Sequence, residues 1–380
     1  MKITSLQNYN INKIGISKPN TNNFDASNSQ YTQFLYPCKT NIITFTSNIK
    51  NIGLPAKNYD LNNKTILITG ATGTLGQALI KELLENYSAK QIIVFSRDEY
   101  KQYKMKQNLP KNAPVKFIIG NVRDEAALKK ALKNTDVVIH TAAMKHVSIC
   151  EENKEEAIKT NFFGTLNIIN AALNSDVQRV IFISTDKAAN PNNLYGRSKK
   201  MAEQIILDAN LKFNDNKLFS IIRMGNILGS RGSVLPLFEE QKKKGELTIT
   251  DENMTRFFIA PKQAAKQVLS SIEIMKGGEI FVPKLKSAKI MNLAKQTAPK
   301  AKIKIIGTQK GEKLHEDLID KREQDKTYEL IDRYIILQNK KAFENANKLD
   351  SAIEITSDNI QYAFSKDELD EIIKECLTSD

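Results

Sequence analysis

Residues 184–199, STDKAANPNNLYGRSK, set an acid (Asp186), an amine (Lys187), a phenol (Tyr195) and a second amine (Lys199) in one short stretch. Tyr195 and Lys199 are four apart, so on a helix they share a face, where an ammonium can lower the pKa of the phenol or hold a cofactor ribose. That chemistry suits a proton acceptor beside a hydride acceptor. A YxxxK spacing alone is common on helix surfaces, and an Asp-Lys pair alone is usually a surface ion pair of little worth. Their surroundings give them meaning. The run at 180–183 is apolar and β-branched and reads as a buried strand ending at Ser184, so the cluster falls at a strand's carboxyl end, where open α/β sheets take ligands.

A second constellation lies upstream at 69–76, TGATGTLG, directly after the apolar run 65–68 and before a helical pattern at 77–84. Gly70, Gly73 and Gly76 permit a tight turn, close approach to a pyrophosphate and close helix packing, and the free amides of the helix start favour the anion. Thr72, Thr74 and Leu75 complete this loop, which reads as a dinucleotide site. The next strand, at 91–95, ends in Ser96-Arg97-Asp98, where the adenosine ribose belongs. A guanidinium at 97 can pair with a 2'-phosphate, so NADP is the expected cofactor. Asn121 and Val122 follow the third strand and belong to the same groove.

The elements that must position these groups alternate from Lys64 onward. Strands are expected at 65–69, 91–96, 115–119, 136–141, 179–184 and 218–223 with helices between, which implies an α/β fold with a doubly wound parallel sheet. After Gly225 the pattern weakens, and a loop-rich region to about 320 is expected to hold substrate over the sheet's carboxyl edge. Four regions follow: residues 1–62, an arm with 12 asparagines and no assigned chemistry; 63–225, the dinucleotide-binding domain; 226–335, the substrate-binding region; and 336–380, a tail. In the tail, residues 365–368 form a capping box before a short helix with Leu369, Ile372, Ile373 and Leu377 on one face.

Composition narrows the class. The chain has 380 residues, 41% of them hydrophobic, enough for a sizeable core. Cys38, Cys150 and Cys376 are widely spaced, so neither a disulfide framework nor a metal cluster is expected. No stretch is long and apolar enough to span a membrane and no signal peptide opens the chain, so a cytoplasmic location is expected. The net charge of +13 comes from scattered lysines without a nucleic-acid module, which fits attraction for an anionic nucleotide substrate better than nucleic-acid binding.

Taken together, the segments SRDEYKQYKM, AAMKHVSICEENKEEAIKTNFFGTLNII, STDKAANPNNLYGRSK, GNILGSRGSVLPLF, MTRFFI, GGEIFVPK and GEKLHE resemble the extended short-chain dehydrogenase/reductase superfamily. Within it the chain is similar to the C5-inverting UDP-N-acetylglucosamine 4,6-dehydratases of bacterial surface-sugar biosynthesis, the first enzymes toward pseudaminic acid. The resemblance runs from about residue 64 to 332. It implies an NAD(P)-binding Rossmann fold, a UDP-sugar substrate, bound NADP and a homo-oligomer.

Carried onto this sequence, the resemblance implies that Tyr195 takes the O4 proton while C4 gives hydride to the cofactor, with Lys199 supporting the phenolate and the ribose. Lys187 would then remove H5, Asp186 would protonate the departing C6 hydroxyl, and Thr185 would hydrogen-bond near O4. For Lys187 to act as a base, its pKa is expected to be depressed by burial and by the Lys199 charge, against Asp186. Lys145, His146, Asn226, Arg231 and Glu312 are implied for the substrate, Arg231 for its diphosphate, and Asn161 as an organiser of the backbone. Four positions depart from the family pattern: Asn121 replaces an aspartate, Met224 a tyrosine, and Gln309-Lys310 an Arg-Pro. A retaining dehydratase, a C4 or C5 epimerase and a non-catalytic NADP-binding regulator are the competing readings. The intact acid-base set speaks against the last.

Overall fold

Every residue of the run TILIT, strand β1 (Thr65–Thr69), is buried, and parallel neighbours flank it on both sides. Such a strand has no solvent face, which is why it reads as a continuous apolar run rather than an alternating one. From it the chain continues through α1 (Thr74–Asn86), β2 (Gln91–Ser96), α2 (Glu99–Asn108), β3 (Val115–Ile119), α3 (Glu125–Ala131) and β4 (Val137–His140). Next come α4 (Val147–Glu152), α5 (Lys154–Ile158), α6 (Gly164–Leu173), β5 (Arg179–Thr185), α7 (Leu194–Phe213) and β6 (Leu218–Met224). The computed structural model describes residues 55–213, 217–338, 343, 346–350 and 353–378. All of them belong to the second of two units, residues 50–380.

The second half adds β7 (Asn226–Ile227), α8 (Val234–Lys242), β8 (Glu246–Ile249), β9 (Thr255–Ile259), α9 (Pro261–Ile274) and β10 (Glu279–Pro283). It closes with β11 (Lys286–Lys289), α10 (Ile290–Thr297), β12 (Lys302–Ile305), β13 (Thr327–Glu329), β14 (Arg333–Leu337), β15 (Asn347–Lys348) and α11 (Lys366–Thr378). The main sheet has the order β3-β2-β1-β4-β5-β6-β10-β14-β13-β15, parallel through β10 and antiparallel beyond it. The order reverses between β1 and β4, the crevice where a doubly wound sheet takes its ligand. The six expected strands agree with β1 to β6 within one residue at either end.

The stretch after Gly225 is regular, not loop-rich. Helix α9 starts on Pro261, whose missing N–H costs nothing at a first turn, and buries Ala264, Ala265, Val268, Leu269 and Ile272. A second apolar cluster joins Leu235 and Phe238 of α8, Leu247 of β8, Phe258 of β9 and Leu293 of α10. Helix α11 docks on that cluster with Leu369, Ile372, Ile373 and Cys376; Leu377, expected on that face, is 43% exposed. The capping box forms: Ser365 Oγ accepts from Glu368 N at 3.3 Å, and Glu368 Oε2 accepts from Ser365 N at 2.9 Å.

Residues 1–54 of the expected arm lie outside the described residues, whereas its end is part of the folded unit. Leu61 is fully buried, Lys57 pairs with Glu273 of α9 at 2.8 Å, and the Tyr59 hydroxyl donates to Gln178 at 2.9 Å. Among the described residues no helix is long and apolar enough to cross a membrane.

Candidate active site

The glycine-rich loop begins where β1 ends. Gly70 has φ +64, and a Cβ there would meet Ala142 Cα at 2.8 Å, so only glycine lets the loop lie against the end of β4. No side chain caps α1, which leaves its first amides for an anion. At the end of β2, Asp98 caps α2 by accepting from Lys101 N at 2.9 Å and pairs with Lys101 Nζ at 2.6 Å. Its carboxylate is therefore occupied, and Arg97 stands exposed beside it. Buried Gln102 ties the β2 and β3 ends together, donating to Ser96 O at 3.0 Å and Ile118 O at 2.9 Å. Asn121 accepts from Arg123 N at 3.1 Å and braces its own turn.

The acid-base cluster is built by the end of β5, a short 3-10 turn over Asp186–Ala188 and the start of α7. Asn193 Oδ1 caps α7 by accepting from Gly196 N at 2.8 Å. A Cβ at Gly196 would meet the Lys187 carbonyl oxygen at 2.3 Å, so this glycine allows the turn and the helix to touch. Thr185 Oγ1 donates to Asp186 Oδ1 at 2.8 Å. Lys187 Nζ donates to Asp186 Oδ1 at 3.0 Å and Asn226 Oδ1 at 3.1 Å, and Glu316 Oε1 lies 3.5 Å away. Asp186 is fully buried, and its Oδ2 has no hydrogen-bond partner.

One cavity of about 990 Å³ runs from the glycine loop past this cluster to the region of β8 and β9. Gly70, Thr72, Gly73, Thr74, Leu75, Gly76, Ser96, Arg97, Asn121 and Val122 line one end, and Thr185, Lys187, Tyr195 and Lys199 the middle. Lys145, His146, Asn226, Arg231 and Glu312 also line it. Asp186 does not; it sits one layer behind, against Thr185 and Lys187. Asn161, in a π-helical turn between α5 and α6, accepts from Met144 N at 2.8 Å and donates to Met144 O at 3.0 Å and Ser198 Oγ at 2.9 Å. It ties the loop after β4 to α7.

Three electrostatic expectations change. Burial weighs most heavily on Lys187 and disfavours its ammonium, but Asp186 and Glu316 outweigh it and the pKa ends raised, not depressed. The leading like charge opposing the rise is that of Arg256, not Lys199. The largest charge acting on Tyr195 is likewise not that of Lys199: burial pushes that phenol up to about 12, opposed by the Lys187 charge. Lys199 instead donates to Ile183 O at 2.6 Å and sits 3.8 Å from the centre of the Phe182 ring. Burial lowers its pKa to about 7 against Glu203.

Arg231 also falls on the glycine-loop side. Its guanidinium donates to Thr72 O and its amide to Thr74 Oγ1 at 3.4 Å, while Lys145 Nζ donates to the neighbouring Ser230 Oγ at 3.2 Å. Glu312 Oε2 accepts from Gln309 N at 3.0 Å within its own loop. Among the cavity residues that carried no expectation from sequence are Arg256 and Glu316. Arg256 donates to the carbonyls of Leu314 at 3.1 Å and Lys313 at 2.8 Å, and Glu316 is buried with Oε2 unpartnered. Both lie inside MTRFFI and GEKLHE, but nothing in the spacing of those segments says that they converge on Lys187.

Fold and cavity together define a Rossmann-type dinucleotide-binding protein whose cofactor groove opens onto an acid-base cluster. Residues 66–338 match the model of the family described as polysaccharide biosynthesis protein. The chain belongs to that family. A UDP-N-acetylglucosamine 4,6-dehydratase (inverting) of Campylobacter jejuni is 44% identical over 325 residues, covering 81% of this chain and 97% of the relative. A UDP-glucose 4-epimerase of Rickettsia bellii is 41% identical over 283 residues, covering 72% and 83%. Among solved structures, Pen from Bacillus thuringiensis superposes with a TM-score of 0.78 at 37% identity, covering 83% of this chain and 98% of that one.

Proposed function

We propose that this protein is an NADP-dependent UDP-N-acetylglucosamine 4,6-dehydratase that inverts C5, giving UDP-2-acetamido-2,6-dideoxy-β-L-arabino-hexos-4-ulose for surface-glycan biosynthesis. The observation that carries this reading is the Asp186–Lys187 pair, 3.0 Å apart, set beside Tyr195 at a dinucleotide groove. Chemistry at C4 alone needs only the phenol; an acid and a base placed next to it serve water loss across C5 and C6. The Rickettsia bellii relative supports the second reading, a C4 epimerase, which leaves that pair without a task.

Bound NADP supplies the reversible hydride acceptance with which the cycle opens and closes. The uncapped amides of α1 hold its pyrophosphate, Arg97 and Lys101 receive the 2'-phosphate, and Lys199 holds the nicotinamide ribose. Tyr195 takes the O4 proton as C4 is oxidised. The 4-keto group acidifies H5, which Lys187 removes, while Asp186 donates a proton to the C6 hydroxyl through its unpartnered Oδ2. Lys187 is held as an ammonium by two carboxylates, so its proton must pass to one of them before it serves as a base; Asp186, 3.0 Å away, is that acceptor and so becomes the acid that serves the C6 hydroxyl. The segment 226–335 receives the UDP-sugar, with Arg256 and Lys145 as cations near it. The protein works in the cytoplasm as a homo-oligomer. Mass spectrometry of UDP-N-acetylglucosamine incubated with the pure protein tests the reaction class: loss of one water is expected, and a product of unchanged mass would favour the epimerase.

A further inference from the structure

The last segment of the chain reaches the acid-base cluster through its backbone. The match to the family model ends at residue 338, and helix α11 further on docks on the smaller apolar cluster. Between them residues 355–357 run antiparallel beside 316–318. Leu318 N donates to Ile355 O at 3.0 Å, Asp317 bridges to Thr356, and Ser357 N donates to Glu316 O at 2.9 Å. Ser357 is 1% exposed, and its hydroxyl closes the clasp by accepting from Glu316 N at 2.9 Å. One residue thus holds both backbone groups of Glu316. The same hydroxyl shares a 2.7 Å hydrogen bond with Thr255 Oγ1 and donates to Thr255 O at 3.2 Å, at the start of β9 and one residue before Arg256.

The Glu316 carboxylate needs such a hold. Its nearest cations are Lys187 at 3.5 Å, Arg256 at 3.9 Å and Lys313 at 4.0 Å, each beyond normal hydrogen-bond length, so the backbone fixes where it stands. That place matters to Lys187. An ammonium has three N–H groups, and Asp186, Asn226 and Glu316 surround this one. Once a proton has passed to Asp186, the amine keeps two N–H groups, and Asn226 and Glu316 remain to fix its direction. We infer that Ser357 is a positioning residue: it sets Glu316 against Lys187 and, through Glu316, aims the base at H5. The inference rests on the dehydratase reading above. Ser357 does not line the cavity, so any effect it has on the chemistry passes through a neighbour.

A serine that merely stabilises the fold would slow the enzyme whatever stands at position 316. A positioning serine has nothing to do once the carboxylate is gone. The test measures turnover of UDP-N-acetylglucosamine by the parent, Ser357→Ala, Glu316→Ala and the double variant. For Ser357→Ala we expect kcat to fall at least about tenfold, the scale of a displaced group, with KM within about threefold of the parent. Acid-quenched mixtures of that variant should accumulate the 4-keto sugar still carrying O6, because oxidation of C4 by Tyr195 is untouched. With Glu316→Ala already in place, the serine change should cost less than about twofold, the non-additivity of two residues acting as one unit. Where Ser357→Ala does not fold, Thr255→Val carries the same comparison, since it removes one partner that holds the serine hydroxyl. A folded Ser357→Ala enzyme that turns over like the parent, or one whose loss is undiminished in the Glu316→Ala background, overturns the inference. Failure of the functional reading shows instead in the parent, as release of no dehydrated product, and takes the inference with it.

Discussion

Lys187 shows most sharply how a residue's chemistry depends on neighbours distant in sequence. Its pairing with Asp186 is legible in the sequence because the two are adjacent; Glu316, 129 positions on, is not, and it helps turn the expected depression of the lysine into a rise. The same holds for Lys199, whose four-residue spacing from Tyr195 is real but whose ammonium points to the Ile183 carbonyl. Lys187→Met should bind substrate and allow oxidation of C4, yet stop before water loss. Incubation in D2O should then give almost no deuterium at C5, and dehydration near the parental rate would show that another group is the base. At the cofactor end, Arg97→Ala should weaken NADP binding about tenfold while leaving NAD binding nearly unchanged, the scale of a lost charge-assisted contact. Fluorescence titration with each dinucleotide reads this, and an equal loss for both would remove Arg97 from the 2'-phosphate.

At the scale of elements, the strands of the first half are legible because buried parallel strands write themselves as short apolar runs bounded by turns. Strands β10 and β14 in the second half also lie in the main sheet, but β7, β8, β9, β11 and β12, which belong to two smaller sheets, are interleaved with them along the chain, so the alternation that revealed the others is broken. Local periodicity says where a strand is and not which sheet it joins. What locks β6, α7 and the turn at residues 321–326 together is a buried ion network. Arg223 Nη2 meets Glu203 at 2.9 Å, Arg223 Nη1 meets Glu323 at 2.8 Å, and Glu203 accepts from Ser184 Oγ at 2.7 Å. Burial raises the Glu323 pKa, but Arg223 and Lys200 outweigh it and bring the value to about 2, against 4.5 ordinarily. A carboxylate depressed in the folded state stabilises it fully above its unfolded pKa and loses that contribution as pH falls through the folded one. Roughly 3 kcal/mol should therefore disappear between about pH 4.5 and pH 2. Urea melts of the parent and of Glu323→Gln across that window test this: the variant should be less stable near neutrality and flatter with pH.

For the whole molecule, the class of fold and the two ends of the cavity can be read from motifs, while its closure cannot, because Arg231, Arg256 and Glu316 reach it from segments with no common spacing. The chain's start is the clearest correction: the expected arm extends to residue 62, yet Leu61 is fully buried and Lys57 pairs with α9. Deleting residues 1–62 should accordingly lower the melting temperature by several degrees, since losing a buried leucine side chain alone costs about 2 to 5 kcal/mol. A truncation as stable as the parent would show that these contacts add nothing. The central claim, that one enclosed cluster oxidises C4, expels water and resets C5, is tested most directly by NMR of the product formed from UDP-N-acetylglucosamine in D2O. The account predicts a 4-keto-6-deoxy sugar of L-arabino configuration with solvent deuterium at C5; a C4 epimer with its C5 hydrogen intact would contradict it.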